Sequence, residues 1–150
     1  MKIEQEINQT KPFRNGFHRA AVNIIFTNNW LCAEIKKKLK PFDLTLQQYN
    51  MLRILKGEGK PLSTSCIRER MIDRFSDTSR LVERLCQKDL VNRDACCSDK
   101  RKVDVTVSQK GLDLIQMVER DARPTLDQLL ANLSEEEAHL LSELLDKARG

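Results

Sequence analysis

The sequence contains few aromatic residues, glycines, prolines and cysteines. Aromatic side chains make up 5% of its 150 residues, and there are only five glycines and four prolines. With many Leu, Lys, Glu and Arg residues beside them, this composition favours a mostly helical fold and argues against a multi-stranded β-sandwich. The five cysteines are too few and too irregularly spaced for a disulfide framework, and their odd number leaves at least one free thiol in a monomer. We therefore expect a reducing compartment.

Long apolar runs are also missing. The segment 20–26 is among the longest, far below the ~18 apolar residues that a membrane-spanning helix needs. The beginning of the sequence, MKIEQEINQTKPFR, lacks the apolar core of a signal peptide. These features predict a cytoplasmic protein with no membrane partner, and the length predicts one domain over residues 1–150.

Charge is unevenly distributed along the chain, whose net charge is +4. Residues 1–59 carry ten Lys and Arg against five acids, residues 60–110 carry twelve against eight, and residues 111–150 carry four against nine. A basic middle segment beside an acidic C-terminal segment predicts that the middle segment contacts a polyanion.

The N-terminal part predicts a long amphipathic helix. Apolar residues recur at steps of three and four from Phe17 to Leu39, which predicts a helix over residues 17–39 that Pro41 ends. The segment has more apolar surface than one chain can cover, which favours a second chain as its partner. The residues that leave this surplus are Phe13, Phe26 and Trp30.

A second helix is predicted from Thr45. Residues Thr45 to Gln48 have the capping-box pattern, in which two side chains bond to free backbone amides of the first turn. This helix is expected to run to about Lys56, where Gly57 and Gly59 break the chain.

A helix, a turn and a further helix are predicted in the middle segment. Ser63 is a good N-cap for the first of these helices, whose inner face carries Ile67 and Met71, and residues 72–75 form the turn. Residues 76–79 can cap and start the next helix. Its inner face consists of Thr78, Leu81, Val82 and Leu85, and its outer face of Asp77, Arg80, Glu83 and Arg84.

The periodicity then changes from helical to alternating. Valine occupies every second position from 103 to 107, which predicts a strand, and residues 90–95 are its expected partner. The two strands would form a hairpin with its tip at residues 96–102. Three consecutive cations lie at this tip, namely Lys100, Arg101 and Lys102.

Two more helices are predicted after the hairpin. Ser108 caps the first, which is expected to continue through Leu129 with a kink or break at Pro124. The last helix begins with a capping box from Ser134 to Glu137 and has a leucine-rich apolar face.

This order of elements predicts a mainly α fold with a small β-hairpin wing, a winged helix-turn-helix. A helix fits the major groove of DNA, where base edges present distinguishable donors and acceptors, and a hairpin reaches the neighbouring minor groove. Arg80 and Arg84 are candidates for guanine or phosphate contacts, and the Ser76 and Ser79 hydroxyls are candidates for phosphate contacts. The alternative is that the charges only solvate an exposed helix face. On the first helix, the candidate phosphate contacts are Ser63 and Thr64.

The chain resembles the MarR (multiple antibiotic resistance regulator) family of bacterial transcription regulators over about residues 17–149. Four stretches carry the resemblance: LTLQQYNMLR at 44–53, SRLVERL at 79–85, KDLV at 88–91 and SDKRKVDVTVSQKG at 98–111.

The resemblance implies roles for two groups of residues. Asp99 and Arg101 match an Asp-x-Arg element of the family's wing, in which the arginine enters the minor groove and the aspartate holds it. Lys100 and Lys102 flank this element. The residues at or beside DNA-facing positions of the recognition helix are Ser76, Asp77, Ser79, Arg80 and Arg84.

The resemblance also implies an obligate homodimer. In it, helices of residues 1–40 and 111–150 interlock, and residues 45–110 form the DNA-binding lobe, in agreement with the apolar surplus noted above. The chain departs from the family pattern at Asp89, where the family commonly has glycine, and at Pro124, which interrupts a helix that is often continuous.

A small aromatic effector is the further partner that the resemblance implies. Such effectors are expected between the dimer helices and the DNA-binding lobe, where Phe26, Trp30 and Tyr49 are candidates to line a pocket. The alternative for each of the three is core or dimer packing.

The adjacent Cys96 and Cys97 permit two interpretations. Cations next to them favour a lower thiol pKa and a redox switch, whereas the alternative is two small residues without a role. We expect core packing for the other three cysteines, Cys32, Cys66 and Cys86.

No pattern of enzyme or metal chemistry accompanies these features. His18 and His139 have no histidine or cysteine at helical spacing, and no C-x-x-C, phosphate loop or nucleophile motif is present. The sequence therefore predicts a DNA-binding transcription regulator without cofactor or metal, most simply a repressor that binds a pseudo-palindromic operator as a homodimer. The alternatives are a thiol-based oxidant sensor on the same fold and a winged-helix adaptor that binds proteins.

Overall fold

The computed structural model describes residues 1–95, 103–122 and 128–150. In chain order its elements are α1 (Ile3–Glu6), α2 (Gly16–Leu39), α3 (Leu46–Glu58), β1 (Leu62–Ser63), α4 (Thr64–Arg70), α5 (Thr78–Gln87), β2 (Val91–Ala95), β3 (Val103–Val107), α6 (Gln109–Asp121) and α7 (Glu135–Arg149). Short 3-10 helices occupy Lys40–Phe42 and Gln128–Leu130. The predicted fold class, mainly α with a small antiparallel hairpin, is confirmed.

Polar residues fix where most of the helices start. In α2 to α7 the N-cap side chain accepts a hydrogen bond from the backbone N–H three residues later, an interaction that typically stabilises a helix by about 1 kcal/mol. The backbone N–H groups of Thr45 and Ser134 also donate the reciprocal bond of a capping box, to the side-chain oxygens of Gln48 and Glu137, as predicted. The six N-caps are Asn15, Thr45, Ser63, Asp77, Ser108 and Ser134.

A three-stranded antiparallel sheet with the order β1-β3-β2 replaces the predicted two-stranded hairpin. Strands β2 and β3 pair with Val91 opposite Val107 and Ala95 opposite Val103, as the valine alternation predicts. Strand β1 adds the pair between Leu62 and Val105, which the sequence did not predict. The two-residue strand ties the start of α4 to the wing.

The hydrophobic core lies between the sheet and helices α3 to α6. It also takes in the C-terminal end of α2, so the long N-terminal helix is anchored at this end. The largest fully buried side chains are Leu39, Met51, Leu52, Leu55, Ile67, Leu85, Ile115, Val82, Val105 and Val118.

Two helices have apolar faces that the rest of the described chain leaves uncovered. Between its start and Trp30, α2 exposes Phe17, Ile24, Ile25 and Trp30. Helix α7 has no buried residue, and its exposed leucines are Leu140, Leu141 and Leu144. Within the described ranges, no helix is long and apolar enough to cross a membrane.

Three local features differ in detail from the prediction. Helix α6 ends at Asp121 and Leu129 lies in a 3-10 helix, whereas the prediction carried the helix through Leu129 with a kink or break at Pro124. Pro124 lies outside the described residues, so the kink or break at this position stays a prediction. Gly57 does not break α3, which ends at Gly59 in the left-handed region with φ 67°. The short helix α1 was not predicted, and its Glu4 pairs with Arg19 of α2 at 2.6 Å.

Candidate nucleic-acid interface

Helix α5 presents a sharply divided surface. Thr78, Val82 and Leu85 are buried, whereas Ser79, Arg80, Glu83 and Arg84 are exposed. This division agrees with the inner and outer faces predicted from sequence, with Leu81 half-buried at the boundary. The exposed face carries hydrogen-bond donors and acceptors suited to base edges and phosphates.

The arginines around α5 make no ion pair with the described residues, although other cations of the chain are paired. Arg70 of α4 contacts Glu58 at 2.5 Å, and Arg70 together with Lys60 holds the pKa of the Glu58 carboxyl below its ordinary value. In contrast, the exposed arginines on and around α5 make no ion pair within the described part of the chain. They are Arg68, Arg74, Arg80, Arg84 and Arg93.

Two open grooves lie at the starts of α4 and α5, and the first of them also borders the sheet. The first has a volume of about 250 Å³, and the second, of about 180 Å³, shares Thr64, Ser65 and Ser79 with it. Arg93 lines the first groove and Arg68 the second. Hydroxyls and guanidinium groups are the side chains that proteins use for phosphate oxygens.

Arg93 is a candidate site residue that sequence reasoning missed. It lies on β2 directly opposite Val105 in the sheet register and is exposed. The sequence contains a signal for this position. Side chains alternate between the two faces of a strand, so Arg93, two positions after Val91, lies on the same face as Val91, next to α5.

Other candidates are partly used by the local structure. The Ser76 hydroxyl donates to the Asp73 carbonyl at 2.7 Å, and Asp77 accepts the Arg80 N–H at 3.1 Å as the N-cap of α5. The Ser63 hydroxyl accepts the Cys66 N–H at 3.3 Å, while the half-buried Thr64 lines both grooves. These bonds fix the starts of α4 and α5 relative to the grooves.

The base of the wing is tied to neighbouring elements. Asp89, at the position where the resemblance leads one to expect glycine, adopts the left-handed region with φ 59°, which Asp tolerates better than most residues. Its carbonyl accepts the Ser108 hydroxyl at 2.6 Å, and Lys88 contacts the Asp43 carboxylate at 2.7 Å. The predicted wing-tip residues lie outside the described residues, so the predictions made for them stay predictions. They are Cys96, Cys97, Asp99, Lys100, Arg101 and Lys102.

The three candidates for an effector pocket are found in different surroundings. Tyr49 is buried in the core, with the Arg53 guanidinium 5.9 Å from its ring centre. Phe26 is half-buried and Trp30 is exposed on α2. None of the three lines the grooves described above.

The described cysteines also differ from one another. Cys66 is exposed on α4, so the prediction that it packs in the core is wrong; Ile67 and Met71 are the residues of this segment that turn inward. Cys32 and Cys86 are half-buried, and burial raises the pKa of the Cys86 thiol, which makes it less reactive. No group of three potential metal ligands occurs among the described residues.

Comparison with known proteins extends this description. No family model matches the chain. It is 25% identical over 114 residues to the HTH-type transcriptional regulator MhqR of Bacillus subtilis (strain 168). The aligned region covers 75% of this chain and 77% of the relative. A mutant MarR from E. coli, solved in complex with operator DNA, superposes with a TM-score of 0.82 at 22% identity, covering 92% of this chain and 99% of that one.

The chain has the fold of the MarR-family regulators. The organohalide-sensing RdhR transcriptional regulator in its 2,4-dichlorophenol-bound form is a further structural neighbour, with a TM-score of 0.80, 22% identity and coverage of 94% of this chain and 86% of that one. The resemblance stated from sequence is thus confirmed, and the relatives are transcription regulators rather than enzymes. In MarR-type terms, α4 and α5 are the helix-turn-helix and β2 and β3 the wing.

Proposed function

We propose that the chain is a sequence-specific DNA-binding transcription regulator, a repressor that binds a pseudo-palindromic operator as a homodimer. The observation that carries the proposal is the exposed outer face of α5, on which Arg80 and Arg84 have no ion-pair partner in the described part of the chain. Unpaired cations beside hydroxyl-lined grooves suit a polyanion. The complex of the MarR relative with operator DNA supports this choice of partner.

Each half of the dimer places α5 in a major groove. Arg80, on the first exposed turn, donates two hydrogen bonds to guanine, and Arg84 lies one turn farther on toward base or phosphate. Arg68, Arg93 and the hydroxyls of the two grooves hold the sugar-phosphate backbone. The resemblance adds Arg101, held by Asp99, in the adjacent minor groove.

The uncovered apolar faces support the homodimer. One face lies on α2 and the other on α7, at opposite ends of the chain, so a second copy can cover both in one interface. Residues 1–40 and 111–150 thereby form the dimerisation region and residues 45–110 the DNA-binding lobe of a single domain. Repression follows because a dimer on its operator blocks a promoter sterically.

A small aromatic effector regulates the dimer in this proposal. The neighbour RdhR was solved with 2,4-dichlorophenol, which supports an aromatic or phenolic class of ligand. Phe26 and Trp30 lie on α2, at the C-terminal end of its uncovered apolar segment and N-terminal to the anchored end at Leu39. A ligand that changes the angle of α2 alters the separation of the two recognition helices, which must match major grooves ~34–36 Å apart.

Arg80→Ala tests the assignment of α5. If Arg80 contacts a base, the variant loses about 1–3 kcal/mol of binding free energy on the operator, and the loss comes from one base pair at the same position of each half-site. Its binding to unrelated duplex DNA changes little. Arg93→Ala is expected to weaken binding to both DNAs by a similar factor and to reduce the salt dependence, because a phosphate contact releases counterions without regard to sequence. Fluorescence anisotropy across a salt series measures both effects.

Arg120→Ala is the matched control, since it removes one positive charge that pairs with Asp121 on α6. It is expected to bind like the parent protein. Unchanged isotherms for the Arg80 and Arg93 variants as well would contradict the proposed docking.

A further inference from the structure

Phe75 is the most unusual side chain at the proposed interface. It lies in the turn between α4 and α5, two residues before the N-cap of α5, and is fully exposed. Such complete exposure of a phenyl ring leaves its whole apolar surface available to a partner.

The turn holds Phe75 in this position by hydrogen bonds of its backbone and neighbours. The Phe75 N–H donates to the Asp73 carboxylate at 3.1 Å, and the Ser76 N–H and hydroxyl both donate to the Asp73 carbonyl. At the other end of the turn, the Ile72 N–H donates to the Asn50 amide oxygen at 3.1 Å. The backbone is therefore fixed on both sides of the exposed ring.

The surroundings of Phe75 are those of a nucleic-acid contact. Arg74 beside it and Arg80 on the first turn of α5 are exposed without ion pairs in the described chain, and Ser76 lines the groove that Arg68 also lines. Two of the nearby acids, Asp73 and Asp77, already accept backbone N–H groups. An exposed apolar ring close in sequence to cations that lack ion pairs in the described chain suits a partner with phosphate charges and exposed apolar groups. DNA has both.

We propose that Phe75 reads thymine in the major groove by packing its ring against the C5-methyl group of the base. The methyl group is the apolar feature of the major-groove edge, and a phenyl side chain is a suitable contact for it. Phe75 is thus a specificity-determining residue at the entry of the recognition helix. The inference rests on the proposed function, because it needs α5 to enter the major groove.

Replacement of individual thymines by uracil tests the proposal, since this change removes only the methyl group. The operator for this test is first obtained by selecting bound sequences from a random duplex library. In this operator, one thymine in each half-site, at symmetric positions, is expected to be sensitive to replacement by uracil. Uracil at that position in one half-site should weaken binding of the parent protein about fourfold, and in both half-sites about 15-fold, the effect of ~0.8 kcal/mol per lost methyl contact.

Phe75→Ala is the diagnostic variant. It is expected to bind thymine and uracil operators equally, at the affinity that the parent has for the uracil operator, and to keep the thermal midpoint because the ring is exposed. Ile72→Ala, which removes another exposed apolar side chain of the same turn, is the matched control and should keep the methyl dependence.

The outcomes separate this inference from the proposed function. Tight operator binding without any uracil effect, or with the same uracil effect in Phe75→Ala, overturns the inference alone. A Phe75→Ala variant that binds DNA like the parent also overturns it. A library that enriches no site contradicts the proposed function and the inference together.

Discussion

Replacement of Gly111 by alanine is expected to lower the free energy of unfolding by about 3 kcal/mol, because the added carbon has no room. Gly111 lies in the first turn of α6, against the residue that connects α5 to the wing. A Cβ atom there would come within 2.2 Å of the Leu90 carbonyl oxygen and 2.9 Å of a Val107 methyl group. The Leu90 carbonyl also accepts the Ser108 N–H at 3.0 Å. A shift of Leu90 away from the added carbon would therefore break this hydrogen bond at the base of the wing.

Gly57→Ala is the matched control for this substitution. Gly57 also lies inside a helix, α3, but a Cβ atom at this position meets nothing within 4 Å. Alanine there is expected to raise the free energy of unfolding by about 0.5–1 kcal/mol through its better helix propensity. Urea denaturation measures both variants, and equal effects of the two substitutions would contradict the close packing of α6 on the wing base.

Leu144→Glu is expected to weaken the dimer at least about 100-fold, because the carboxylate would be buried without a partner in the proposed interface. Leu144 is exposed on the apolar face of α7 in the single chain, so the substitution leaves the core intact. Operator affinity should fall with dimerisation, since a monomer contacts only one half-site and loses the advantage of linked binding.

Ser142→Glu introduces the same charge at an exposed position of the same helix and serves as the control. By sedimentation equilibrium at micromolar concentration, the parent protein and this control should have twice the chain mass of 17.4 kDa, and Leu144→Glu should have the chain mass. A monomeric parent protein, or a Leu144→Glu variant that stays dimeric, would count against the proposed interface.

Features that depend on neighbouring residues were predicted well from the sequence. The capping boxes at Thr45 and Ser134 and the valine alternation at 103–107 involve groups within a few residues, so short patterns are sufficient to find them.

Features that depend on distant contacts were not predicted. Strand β1 has two residues and exists only because Leu62 pairs with Val105, more than forty positions away. Cys66 was assigned to the core although it lies one position from Ile67, a difference that rotates a helical side chain by roughly 100° to the solvent side. The lack of an ion pair for Arg93 and Arg80 among the described residues likewise depends on which acids lie nearby in three dimensions.

Selection of bound sequences from a random duplex library tests the central claim, that α5 reads DNA sequence as one half of a symmetric dimer. The expected result is an enriched site with two inverted half-sites whose centres are about 10 base pairs apart. A parallel selection with Arg80→Ala should relax the preference at one symmetric position in each half-site. Two results would contradict the claim. One is that no sequence is enriched, and the other is that both proteins enrich the same site and this site lacks dyad symmetry.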